Sequence, residues 1–104
     1  MTDRINKLKG FIEKQPADAF LQHALALEYV KTGDDGMARQ VFESLLKQNE
    51  GYVGSYYHLG KLLERAGEKE AAIETYKIGI QVAKTAADNH AANELQTALD
   101  DLTD

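Results

Sequence analysis

Three histidines, His23, His58 and His90, are the side chains best suited to chemistry in a 104-residue chain that has no cysteine. A metal site needs three or four ligands. His90 with Glu94, one helical turn on, supplies two; His58 has only Lys61 at such a spacing. Neither makes a site, so no metal is expected. The serines sit in no nucleophile motif, and the glycines are scattered rather than gathered into a phosphate-binding loop. No nucleophile–base constellation can be read, so neither an enzyme nor a cofactor is expected. Tyr57, Lys61 and Arg65 recur at steps of four, with His58 beside them. On a helix they share a face. That face suits a carboxylate or an acidic segment through charge-assisted hydrogen bonds. The plainer alternative is a solvated face in which Glu64 joins an ordinary mixture of charges, the common state of exposed helical side chains.

Composition narrows the classes further. The net charge is −5 and no basic run exists, so nucleic-acid binding lacks its electrostatic footprint. Residues 1–15 carry charges throughout, unlike a secretory leader. No apolar stretch approaches a bilayer's thickness, so no membrane association is expected. The absence of cysteine fits a reducing compartment, and a cytoplasmic location is expected. Ala, Leu, Glu, Lys and Gln dominate, and all favour helix.

The elements that carry these residues are set by an internal repeat. Leu25, Ala26, Tyr29, Gly33, Asp34, Ala38 and Phe42 align with Leu59, Gly60, Leu63, Gly67, Glu68, Ala72 and Tyr76 at a constant offset of 34. Small residues align with small, and aromatic with aromatic. Each copy reads as two helices, near 17–32 and 35–48 in the first and 53–66 and 69–83 in the second. Gly33 and Gly67 close the first helices, because only glycine adopts the left-handed turn cheaply. Acidic residues then open the second helices, where the dipole favours them. Ala38 and Ala72 are small where two helices cross, facing Ala26 and Gly60. Phe42 and Tyr76 fill the space one turn beyond.

This pattern resembles the tetratricopeptide repeat, whose period is 34 residues. Tyr56 stands where the family usually has an aromatic, and Gln22 departs from it. Leu45 and Gly79 replace the usual Ala, and Glu50 and Lys84 stand where Pro commonly ends a repeat. The resemblance covers residues 19–86. It implies an all-α fold of antiparallel helix-turn-helix repeats stacked in a right-handed superhelix, with about six helices. The expected organisation is one domain over 1–104: a half-repeat helix at 2–15, repeats at 19–52 and 53–86, and a capping helix at 87–103. Ile5, Leu8, Phe11 and Ile12 give the first helix an apolar face. Leu95, Leu99 and Leu102 do so for the last. Thr85 or Asp88 is its expected cap. No Gly or Pro lies between Ile80 and Leu102, which leaves open a fused final helix and a domain-swapped dimer.

The resemblance also implies a function, the binding of a peptide or protein segment in a concave groove lined by the first helices. Helical spacing puts Phe20, His23, Leu27, Val30 and Lys31 there in the first copy. Gly54, Tyr57, His58, Lys61, Glu64 and Arg65 take those places in the second. The first set has an apolar end at Phe20, Leu27 and Val30. It is either core, covered by the chain itself, or an exposed patch for a peptide or a second subunit. A homodimer through that face is the alternative function. The clamp by which some family members hold chaperone C-termini is not matched, because His23 and Leu27 replace its polar residues.

Overall fold

A computed structural model describes residues 2–104. The described residues form six helices and no strand: α1 (Thr2–Lys14), α2 (Ala19–Lys31), α3 (Asp35–Gln48), α4 (Gly54–Arg65), α5 (Lys69–Thr85) and α6 (Asn89–Thr103). They fall into two compact units, the first ending at Asn49 and the second starting at Glu50. None of these helices is long and apolar enough to cross a membrane.

Local chemistry places the helix ends. Asp18, Asp34 and Asp88 each cap the next helix, accepting from the backbone N–H of Leu21, Met37 and Ala91 at 3.2, 3.1 and 3.0 Å. Glu68 occupies the matching place before α5 without a side-chain cap bond. Its extra methylene changes the reach that Asp has to the third amide. Gly33 and Gly67 have φ of +83° and +79°. The amides that follow bond back across the turn, Asp34 N to Tyr29 O and Glu68 N to Leu63 O, at 2.8 and 2.9 Å.

The same turn closes α5. Asp88 N bonds to Ala83 O at 2.8 Å, and Ala87 takes the left-handed position with φ +58°. The last two helices are therefore separate. Asp88 is the cap of α6, and Thr85 remains inside α5. Alanine in this conformation is unusual, because its Cβ crowds the neighbouring carbonyl.

In the first unit, α2 packs against α1 and α3. Ile5, Leu8, Leu25, Ala26, Tyr29, Ala38, Phe42, Leu45 and Leu46 are buried. Phe11 is 54% exposed, which corrects its expected place on the core face of α1. Ile5, Leu8 and the half-buried Ile12 form that face, and Phe11 lies to one side of it. Arg4 bonds to Glu28 at 3.1 Å, and the Lys9 ammonium sits 5.9 Å from the centre of the Tyr29 ring, two polar ties of α1 to α2.

In the second unit, α5 packs against both α4 and α6. A Cβ on Gly60 would lie 2.6 Å from Tyr76 Cζ, and one on Gly79 would lie 2.7 Å from Tyr56 Cβ. These two glycines let large buried rings approach the helix backbones. Gly79, the departure from the usual Ala, makes room for Tyr56 and Leu95.

Two departures between the copies have local explanations. Tyr56 donates its hydroxyl to Glu50 O at 2.6 Å, and Gln22 donates its side-chain amide to Pro16 O at 2.7 Å. Both acceptors lie six residues upstream, so Gln does the aromatic's hydrogen-bonding task. Likewise, Tyr76 donates to Glu64, whereas the corresponding pair in the first copy is Phe42 and Val30. Where the ring lacks a hydroxyl, the position matching Glu64 lacks an acceptor.

Candidate partner-binding site

The first helix of the second repeat carries the better-formed site. Tyr57 and Lys61, one turn apart on α4, line an open cleft of about 360 Å³ with His90, Asn93, Glu94, Thr97, Ala98 and Asp101 of α6. Spacings of three, four, seven, eight and eleven from His90 put the α6 residues on one face. Ala98 is buried and lets α6 lie close to its neighbours. Small pockets of this volume ordinarily have a largely apolar lining. Here a phenol, an amide, a hydroxyl and several charges stand among the apolar surface.

The α4 wall is tied to the core. Glu64 accepts from the buried Tyr76 hydroxyl. Burial and the Glu64 carboxylate hold that phenol protonated, far above its ordinary range. Glu64 also lies 3.7 Å from the Lys61 ammonium, which sits 5.5 Å from the centre of the Tyr57 ring. Lys61 is thus already engaged by an anion and a ring. Tyr57 in turn meets His58 edge-on, 5.6 Å between centres. Burial lowers the His58 pKa below 6.5, and the Glu94 carboxylate opposes that shift.

Of the expected site residues in this unit, Tyr57 and Lys61 line the cleft. His58 and Arg65 do not. His58 is half-buried beside Tyr57, and Arg65 is exposed. The α6 wall was not anticipated. Its helical spacing was legible, but its position along α4 is a packing result. Among the described residues, no group of three His, Asp or Glu side chains could hold a metal ion.

In the first unit, Phe20 at the start of α2 is 65% exposed, the largest exposure of any bulky apolar side chain among the described residues. Leu27 and Val30 are half-buried. The apolar end therefore resolves into one open ring and two partly covered side chains. His23 is half-buried with its ring edge-on to Phe42 at 5.7 Å, which makes it a packing residue.

Comparison with known proteins agrees with this architecture. A family model described as Tetratricopeptide repeat matches residues 53–85. The crystal structure of a tetratricopeptide repeat domain protein from Salinibacter ruber is 41% identical in sequence. The match covers 83% of this chain and 97% of that one, with a TM-score of 0.80. A solution structure of a Bordetella parapertussis protein is 21% identical over 95% of this chain and 86% of that one, with a TM-score of 0.82. The crystal structure of a MamA protein is 21% identical over 95% of this chain and 62% of its own, with a TM-score of 0.73. The last two show the fold alone. A comparison with curated proteins gave no match. The chain belongs to the tetratricopeptide repeat family, whose members generally serve as non-enzymatic scaffolds for protein–protein interaction.

Proposed function

We propose that the chain binds a peptide or protein segment at the first helices of its repeats, which line a concave groove in this family, and that it catalyses nothing. The observation that carries this reading is the open cleft walled by Tyr57 and Lys61 of α4 and by the polar face of α6. A ring, amide and hydroxyl groups and charges at one open surface suit a peptide, whose backbone and side chains need mixed partners. The exposed ring of Phe20 offers a second anchor on α2. The net charge of −5 disfavours nucleic acid, and a cytoplasmic location accords with the absence of cysteine.

Panning a phage-displayed peptide library on the purified protein tests the reading. Enriched peptides should lose binding to Tyr57→Ala or Phe20→Asp proteins that keep their helical circular dichroism. A library that yields nothing, or binders indifferent to both changes, overturns it. The exposure of Phe20 also favours a second reading, a homodimer through that face. A strict monomer in sedimentation equilibrium at high concentration removes that alternative.

A further inference from the structure

The charge of the chain is unevenly placed. Asp88, Glu94, Asp100, Asp101 and Asp104 lie in a stretch without a single Lys or Arg, so this one segment carries a charge equal to the chain's net −5. The last turn of α6 has no basic residue, although carbonyl groups there favour a cation. A helix serving only as a cap would gain from Lys or Arg at that end. Asp100 is bonded by Gln96 at 2.9 Å, outside the cleft lining, whereas Asp101 turns into the cleft. Among the described residues, neither Glu94 nor Asp101 takes part in a salt bridge. The cation across from them, Lys61, is held by Glu64.

We propose that the cleft between α4 and α6 receives an extended, basic segment of a protein partner, with lysine or arginine side chains meeting Glu94 and Asp101. The inference rests on the binding function above and gives its ligand a chemistry, opposite in sign to the acidic segment that Tyr57, Lys61 and Arg65 suggest when read as a sequence. Charge complementarity carries it: two carboxylates without ion pairs line the wall, and the one ammonium among the lining residues is already engaged. The Asn93 amide, next to Glu94, and the Thr97 hydroxyl, between the two carboxylates in sequence, line the same cleft, where they can meet a peptide backbone. From His90 to Asp101 the lining spans about 16 Å at 1.5 Å per residue. A strand rises about 3.3 Å per residue, so roughly five peptide residues fit. Alternate side chains of such a strand point to the same side, so basic residues at every second position would face the α6 wall.

The probe is an end-blocked fluorescent peptide of alternating alanine and arginine, about eight residues long, with alternating alanine and glutamate as its counterpart. Anisotropy should show the arginine peptide binding and the glutamate peptide failing, with affinity falling as salt rises. Replacing both cleft acids, Glu94→Gln with Asp101→Asn, should weaken binding about five-fold or more. Glu70→Gln with Glu74→Gln removes the same charge from exposed positions on α5 and should cost less than about two-fold. Equal losses in the two double variants, preference for the glutamate peptide, or no binding of the arginine peptide at about millimolar concentration overturns the inference. Library peptides that need Tyr57 or Phe20 but lack basic residues would preserve the broader function while removing this assignment.

Discussion

Ala87→Gly should stabilise the protein, although glycine usually weakens helical proteins. Ala87 holds φ +58° at the end of α5, where Gly33 and Gly67 hold the equivalent places after α2 and α4. The left-handed conformation costs an alanine about 1–2 kcal/mol. Glycine removes that strain but gives the unfolded chain more freedom, worth about 0.4–1 kcal/mol against folding. The expected net gain is about 0.5–1 kcal/mol. Gly67→Ala is the converse and should cost a similar amount. A Cβ there meets nothing within 4 Å, so backbone strain accounts for the loss. Urea denaturation followed by circular dichroism measures both, with the slope expected to stay constant. If Ala87→Gly destabilises by the ~1 kcal/mol of a glycine inside a helix, the turn is not a left-handed closure in solution. The α5–α6 segment would then be continuous. A swapped dimer, if one forms, should diminish on Ala87→Gly, because the turn that opposes it becomes easier to make.

The two ring positions should exchange only as pairs. Tyr76→Phe leaves Glu64 without its phenol donor and should cost about 1–2 kcal/mol, whereas Tyr76→Phe with Glu64→Val copies Phe42 and Val30 and should recover most of it. Thermal melts of the single and double variants measure the coupling, and strictly additive effects would contradict the pairing. His58 introduces a pH dependence. Its folded pKa lies below its unfolded 6.5, so its contribution is fully present above that value and is lost as pH falls through the folded pKa. Urea midpoints should decline over that acidic window, and His58→Gln should flatten the decline; an unchanged slope would place the cause elsewhere.

The sequence shows the hairpins because their requirements are local and repeat. A small residue must stand at Gly60 for Tyr76 to fit, and the first copy has Ala26 and Phe42 at those places. Gly33 and Gly67 announce their turns by type. Ala87 does not, because alanine in a left-handed turn looks in sequence like alanine in a helix. Only the cap residue Asp88 marks that boundary. Tyr57 and Lys61 were legible as one face of α4, since helical spacing fixes it. The wall opposite depends on how α6 settles against α4 and α5, which periodicity does not encode. Phe11 shows a related limit. Its spacing from Leu8 suited the buried stripe, but the partner surface covers only the side that carries Ile5, Leu8 and Ile12.

The hydrogen bond from Gln22 to Pro16 and that from Tyr56 to Glu50 have a consequence for grafting and shuffling. Each bond begins and ends within its own unit and reaches a main-chain acceptor at the same offset. The acceptor is indifferent to the residue that carries it. Donors at this place are therefore interchangeable in kind, amide for phenol, while the ring-and-acid pair deeper in the hairpin must travel as a couple. The natural cassette for recombining such chains is a whole hairpin with its preceding loop, cut near Pro16 and Glu50, rather than single helices or single residues.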